Sequence, residues 1–524
     1  MITRYVSHRS VFIVKNVIAA GDKSTVAAAQ VILESGGNAF DAAVGACFTA
    51  MIAEPTLTGP GGGGHFMAQP TDSKPILFDF FVDTPSGDVQ KLDLDFFSVF
   101  VDFGETVQEF HIGRGAAAVP GNTAGLLHVH ERLGTMPLKT VMEPAIEAAK
   151  TGVPLSKTQA YLIKILTPII THEEESRHLF APGGKLLKAG DTIVMPQFAD
   201  FLDVLTHEGV DLIYRGEISR IIADWAQDGG LIRREDLEEY QVKERDPLIT
   251  PFHDFTVLLN PPPALSGILI DCTFALLSAM QCVKTHRVSL KNLVAAFEET
   301  NRIRQERLPV GTLDEGFSAL SKQPFFGVSV DRINSELGSS PAPSDATVMG
   351  ATTQISVLDK SGNAASVTTT NGEGCGYMLP QAGFMLNNML GEEDLNPGGF
   401  HRFLPRTRLS SMIAPTIVVD ESGPVLLTGS AGSNRIRSAI IQIVINHLCH
   451  GLDIEAATVA PRIHLDGNVL HAEPGVDEGE LKKLEGRYDV DRWQEQNLFF
   501  GGANSVTPEK GAGDPRRSGA AIIV

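Results

Sequence analysis

The chain has 524 residues, of which 43 are Lys or Arg and 63 are Asp or Glu, giving a formal net charge of −20; 43% of the residues are hydrophobic. That length predicts two domains, or one large domain with extensions, built around a substantial core. The acidic balance argues against a nucleic-acid backbone or an anionic membrane as main partner, and no apolar run reaches the length of a membrane span.

The N-terminal stretch Met1 to Ser10 is polar where a signal peptide needs an apolar centre, so export is not expected. Ser24 can cap a helix running through Val26, Ala29, Ile32 and Leu33 and stopped by Gly36-Gly37. A second helix follows from Phe40 to Ala53, its small residues suited to close packing against a sheet. The run Gly59-Pro60-Gly61-Gly62-Gly63-Gly64 lacks the Lys-Ser/Thr of a phosphate loop. It reads as backbone that must approach a neighbouring strand or a ligand closely. Helical patterns dominate from Pro137 to Ala279, including Val141–Lys150, Phe198–His207, Glu217–Gln227 and Ile268–Ala279. Pro309 to Ala346 turns loop-like, and Gly338–Asp345 has the composition of an exposed flexible segment. Beyond residue 352 the pattern is mainly strand. Hairpins are expected at Ile355–Leu358 with Ala364–Thr368 and at Pro415–Val419 with Pro424–Thr428, with one clear helix from Ile436 to Cys449. Helices beside paired antiparallel strands, without βαβ alternation, indicate an α+β layered protein.

Five scattered cysteines (Cys47, Cys272, Cys282, Cys375 and Cys449) without a Cys-x-x-Cys fit reduced thiols, and with the polar N-terminus they make a cytoplasmic protein the expectation. His447 and His450 read as solvated or helix-capping residues, not metal ligands. The stretch richest in chemistry is Gly350-Ala351-Thr352-Thr353 before the first strand of the C-terminal part. A threonine freed at its α-amino group by a cut just ahead of it carries its own base, of pKa about 7.7–8.0. Thr352 is therefore the candidate nucleophile, although a Thr-rich strand taken alone is usually only a strand.

Further segments fit one pattern: Gly36-Gly37-Asn38-Ala39-Phe40-Asp41-Ala42-Ala43, the glycine run, Pro120-Gly121-Asn122-Thr123-Ala124-Gly125 and Leu133-Gly134-Thr135-Met136-Pro137. Leu409-Ser410-Ser411-Met412 and Gly511-Ala512-Gly513-Asp514-Pro515-Arg516 continue it. Together, in this order, they resemble the γ-glutamyltranspeptidase family of self-cleaving N-terminal-nucleophile hydrolases, over about Ala20 to Arg516. The resemblance implies a four-layer αββα sandwich of the N-terminal-nucleophile hydrolase type, with residues 1–351 and 352–524 intertwined in one globule. It implies that Thr352 attacks the carbonyl of Ala351, frees a fragment beginning at Thr352, and then forms an acyl-enzyme with a small-molecule amide that water or an acceptor amine resolves. Thr370 matches the threonine that hydrogen-bonds the nucleophile, and Gly432 and Ser433 the pair whose amides form the oxyanion hole. Ser410 and Ser411 match the holders of the donor carboxylate, and Glu392 the acid that binds the donor amine. No metal or organic cofactor is expected; the assembly is left open, a homodimer among the options.

Departures bear on the donor. Phe81 stands where the family carries an arginine for the donor carboxylate, which puts a γ-glutamyl, glutathione-like donor in question unless Arg406 or Arg408 compensates. Met389 replaces a polar residue, Gly372 replaces an asparagine for which Asn371 can substitute, and Gln354 replaces a frequent histidine. The stretch from Glu392 to Leu409 is short for a lid, which implies an open site. Two alternatives stand beside the transpeptidase reading: a cephalosporin-acylase-like amidase, and an inactive family member acting as a binding protein.

Overall fold

The computed structural model describes residues 15–91, 93–102, 107–280, 287–307, 350–396 and 398–524. The segment expected to be loop-like, Pro309 to Ala346, lies wholly outside these residues, as do the polar N-terminal stretch Met1 to Ser10 and Cys282.

Strand β1 (Val17–Ala20) leads into helix α1 (Lys23–Glu34). Its cap is Asp22, not Ser24: the carboxylate accepts the Ser24 amide at 2.7 Å, an acidic group being favoured at a helix start. Helix α2 (Ala39–Ala53) opens with a capping box between Asn38 and Asp41 and is buried along its whole length. Its small residues permit that burial; a Cβ on Gly45 would come within 2.6 Å of the Val141 carbonyl. Strands β2 (Gly63–Gln69) and β3 (Ile76–Phe80) follow, then α3 (Asn122–Leu133) and α4 (Leu138–Thr151). After a series of helices come β4 (Lys243–Arg245), β5 (Leu248–Phe252), β6 (Phe255–Leu259), α5 (Leu265–Ala279) and α6 (Leu290–Arg307). The C-terminal part supplies β7 (Thr353–Leu358), β8 (Ala364–Thr370), β9 (Thr416–Asp420), β10 (Gly423–Thr428), α7 (Arg435–Val444), β11 (Ser505–Val506), β12 (Gly511–Ala512) and β13 (Ala520–Ile523).

These strands form two antiparallel sheets, in the orders β13-β1-β7-β8-β2-β3-β4 and β12-β11-β10-β9-β6-β5. Three apolar cores stack them. Phe40, Phe48, Phe66, Ile355 and Val367 fill the space between α1–α4 and the first sheet. A thinner layer with Val17, Met67, Leu258, Ile417 and Leu427 joins the sheets. Phe274, Val294, Val418 and Ile440 join the second sheet to α5–α7. The result is the α+β, αββα sandwich of the N-terminal-nucleophile type. Both sheets draw strands from both sides of residue 352, with β7 paired to β1 and β8.

The layer between the sheets is also polar. Gln354 donates to Ser366 at 2.9 Å and Ser356 at 3.1 Å and accepts from Thr368, while Ser356 donates to the Asn504 carbonyl at 2.9 Å and Ser366 to that of Thr428 at 3.1 Å. Gln354 therefore holds the two serines whose hydroxyls reach across the seam. Helix α7 continues as a π-helical turn, Ile445–Cys449, and two short helices, Ile454–Val459 and Glu478–Leu484, add to the single helix expected there. They are too short to show a helical period and are started by Asp453 and Asp477. His450 accepts the Val288 amide at 3.2 Å, a fastening of this helix end. Cys47, Cys272, Cys375 and Cys449 are buried and free. Among the described residues, no helix is long and apolar enough to cross a membrane.

Glu54, just past α2, is buried and accepts the Thr353 hydroxyl at 2.8 Å. Burial, with the Asp22 charge adding, pushes its carboxyl up to about 8. Folding therefore takes up a proton here: the stabilising contribution is full below the ordinary value of 4.5 and is lost as pH rises through about 8. Thermal melts across that range should show Glu54→Gln losing less stability with rising pH than the parent; parallel curves would count against a proton held at Glu54.

Candidate active site

Thr352 lies one residue ahead of β7, in the interior of the first sheet. Strand alternation sends Thr353 towards α2 and Glu54, and places Thr352 on the face of Gln354, towards the second sheet. A cleft opens there, and its walls bring together Thr352, Thr370, Glu392 and Ser433. Residues as far apart in the chain as Thr352 and Ser433 thus meet at one spot.

Thr370 ends β8 opposite Gly63 of β2. Its hydroxyl donates to the Ala351 carbonyl and accepts the Gly372 amide at 3.0 Å. Thr370 therefore polarises the carbonyl of the Ala351–Thr352 bond. The glycine run supports this turn from behind. A Cβ on Gly62 would sit 2.0 Å from the Thr370 carbonyl oxygen, while the Gly62 carbonyl accepts the Gly121 and Asn122 amides at 2.8 and 3.0 Å. Close approach is what these glycines provide, and what approaches is backbone. Gly62→Ala should displace Thr370 and cost about 1–3 kcal/mol by overpacking, read as a lower melting temperature.

Gly432 and Ser433 follow the short strand Ser430–Ala431, with φ values of 117° and 49°. Both lie in the left-handed region, the second at a cost for a residue with a side chain. A Cβ on Gly350 would come within 3.0 Å of the Ser433 backbone nitrogen, so the segment ahead of the bond packs against Ser433. The Ser433 hydroxyl donates to Asp394. The C-terminal Gly-Asp-Pro-Arg motif holds this turn in place. Asp514 accepts the Ala503 amide at 2.9 Å and pairs with Arg462 at 2.6 Å, and Ala503 is the ladder partner of Ser430.

The charged side chains that line the cleft beside Thr352 are acidic. Glu392 and Asp394 line the cleft, and Glu373 lies beside them, buried. Burial drives the Glu373 carboxyl up to about 8 against the lowering effect of Asn388 and of the amides of Glu373 and Ala351. Glu392 is held well above the usual carboxylate range by burial, with the charges of Glu373 and Asp394 adding. Glu373 and Asp394 escape the sequence reading, whose only signal for them is acidity inside a glycine turn and in an apparently solvated run. Asn387 and Asn388, equally legible as turn residues, are fully buried: Asn387 bridges Gly61 and Ala118, and Asn388 accepts the Glu373 amide at 2.9 Å.

Other candidate residues fall elsewhere. Asn371 lines a separate cavity, its amide donating to the Met385 carbonyl at 3.2 Å. Ser411 is buried behind the cleft-lining Met412, its carbonyl accepting the Leu265 amide at 3.0 Å, and Ser410 is half-buried beside it. Phe81 forms part of the wall. The two arginines expected to compensate are committed elsewhere: Arg408 to Asp79 at 2.6 Å and Asp83 at 2.5 Å, Arg406 to Asp236 at 3.0 Å and Glu239 at 2.8 Å.

Known proteins resemble this chain in sequence and in fold. A profile of the family described as Gamma-glutamyltranspeptidase matches residues 25–524. The glutathione hydrolase proenzyme of Bacillus subtilis (strain 168) is 28% identical, over 94% of this chain and 88% of that protein. The acylase ACY 1 proenzyme of Pseudomonas sp. (strain SE83) is 27% identical, over 88% and 84% respectively. In fold, the chain is similar to the crystal structure of cephalosporin acylase from Bacillus halodurans, with a TM-score of 0.82 at 21% identity, covering 100% of this chain and 98% of that one.

Proposed function

The chain belongs to the gamma-glutamyltranspeptidase family, a family of hydrolytic and acyl-transferring enzymes, and from that premise we propose that it is a self-processing amidohydrolase or acyltransferase with Thr352 as nucleophile. The observation that carries this reading is the Thr370 hydroxyl on the Ala351 carbonyl, with the Ser433 backbone nitrogen packed close to Gly350. In the uncut chain the Thr352 hydroxyl adds to the Ala351 carbonyl. Thr370 supports the oxygen as negative charge develops, its own hydroxyl polarised by the Gly372 amide. The amide becomes an ester, water releases the chain ending at Ala351, and Thr352 gains a free α-amino group.

That amine is then the base for a second use of the same hydroxyl. Thr352 attacks a small amide and the amine of the leaving group departs with a proton. The Gly432 and Ser433 amides then donate to the substrate's oxyanion in the space vacated by the Gly350–Ala351 segment. Water or an acceptor amine resolves the ester. A γ-glutamyl-type, glutathione-like amide is one donor class. An acylase reading is favoured by the Phe81 wall, which offers a donor carboxylate no cation.

Intact mass of purified protein tests the proposal. Two fragments meeting between Ala351 and Thr352 are expected; a single chain after prolonged incubation would sink self-processing. Thr370→Ala should slow the cut by about 10²–10³-fold, as for loss of one oxyanion donor.

A further inference from the structure

We propose that Arg517 is a positioning residue for self-processing, holding the segment ahead of residue 352 so that the Ala351 carbonyl is presented to the nucleophile. This rests on the reading of Thr352 as nucleophile and names a residue that brings the bond to it.

Arg517 ends the short helical turn Pro515–Arg517 near the C-terminus and is buried. Its stem lies on Gly502, where a Cβ would come within 2.4 Å of the Arg517 Cδ, so a glycine is what lets the side chain run inward. The guanidinium ends beside the oxyanion turn, its Nη2 3.6 Å from where a Cβ on Gly432 would sit. That nitrogen donates to two carbonyls, of Leu498 at 3.4 Å and of Gly350 at 3.5 Å, and Nε has no hydrogen-bond partner among the described residues. Two other arginines donate to the next carbonyls along the same turn, Arg435 to Phe499 at 3.2 Å and Arg462 to Phe500 at 3.0 Å. The nearby carboxylates are taken: Asp514 pairs with Arg462 at 2.6 Å and Arg516 at 3.2 Å, and Glu473 pairs with Arg516. Arg517 forms no ion pair among the described residues. Burial, with the Arg435 charge adding and those of Asp514 and Glu54 opposing, lowers its guanidinium to about 10.

A buried cation so thinly satisfied costs stability, and an apolar side chain of similar length would fold at least as well. The Gly350 contact gives the charge a use. The segment is held at three points: the Gly350 carbonyl by Arg517, Gly350 itself by packing against Ser433, and the Ala351 carbonyl by Thr370. Holding two successive carbonyls restricts rotation of the chain between them, and so fixes the face that the Ala351 carbon shows to the Thr352 hydroxyl. Contacts of this kind are commonly long in the ground state and tighten as the reaction proceeds. In the cut, the Thr352 oxygen bonds to the Ala351 carbon as the C–N bond to Thr352 breaks. The hydroxyl proton goes to the nitrogen that becomes the α-amine, and water then opens the ester; Arg517 keeps its protons throughout.

The test sets the rate of the cut against the stability of the fold in Arg517→Met and Arg517→Lys. Intact mass of the freshly translated full chain, followed over time, gives the first. Arg517→Met should slow self-cleavage by about tenfold or more, the worth of one charge-assisted hydrogen bond. Arg517→Lys keeps a charge and one donor to Gly350 without the planar fork, and its rate should fall between the two. Thermal melts in a Thr352→Ala background, where every chain stays whole, give the second: Arg517→Met should melt no lower than the chain that keeps Arg517. Cleavage of Arg517→Met at the parental rate overturns the assignment and leaves the Thr352 reading standing. Slower cleavage with a lowered melting temperature, or a lysine variant no faster than the methionine one, makes Arg517 a structural residue and overturns it as well. A parent chain that is never cut brings down both readings.

Discussion

Thr352→Ala is expected to give a single uncut chain by intact mass and to lower amide turnover by about five to six orders of magnitude, the usual consequence of deleting a nucleophile. The expectation rests on the hydroxyls available. Three line the cleft, those of Thr352, Thr370 and Ser433. Thr370 is engaged by the Ala351 carbonyl and the Gly372 amide, and Ser433 by Asp394. Neither is placed to take over an attack on the bond it helps to hold. Thr352→Ser keeps an oxygen at the same position and should still be cut, which separates loss of the nucleophile from damage to the fold. Processing of the alanine variant at the same bond would remove Thr352 from the mechanism.

Arg408→Met should be the most destabilising of the single changes considered, by about 3–5 kcal/mol. The side chain is largely buried and holds two carboxylates at once, Asp79 and Asp83, on either side of Phe81. Burial alone would raise the Asp79 carboxyl; Arg408, His65 and Arg245 reverse this and hold it well below the ordinary carboxylate range. A depressed folded-state value gives stability that is present above the ordinary value of 3.8 and is lost as pH falls through the folded one. The gap between parent and variant in thermal melts should therefore be widest near neutrality and narrow on acidification, because the stranded carboxyl of the variant can take a proton. Asp79→Asn in the same background should recover part of the loss. A gap that does not change with pH would mean the arginine contributes packing and not charge.

How much of this was legible in the sequence depended on the range of the interaction. Helix α2, the two hairpins and α7 are set by periodicity and by turn residues such as Ser361-Gly362-Asn363, and their observed bounds lie within a few residues of those expected. The meeting of Thr352, Thr370, Glu392 and Ser433 came from the order of motifs, since no local pattern relates them. Glu373, Asp394 and the Asn387-Asn388 pair were opaque because polar residues among glycines look solvated until tertiary packing buries them. Gln354 looked like a departure at the active site. Its environment is the seam between the sheets, where an amide bridges several partners, a role fixed by strand alternation. The caps shifted for a simpler reason: Asp22 and Ser24 are both good caps, and only the backbone geometry chooses between them.

The interleaving of strands has a consequence for the life of the protein after a cut at residue 352. β7 and β8 lie between β1 and β2, so the two pieces share continuous ladders and neither has a complete sheet of its own. Scission releases nothing, and the pieces stay married in a one-to-one ratio fixed at synthesis. Regaining the fold after denaturation becomes an encounter between two molecules, slowed by dilution, where the parent chain needed only itself. A cut there would thus work as a ratchet: the single-chain form could be assembled repeatedly, the cut form effectively once, and its endurance would be set by how slowly it comes apart.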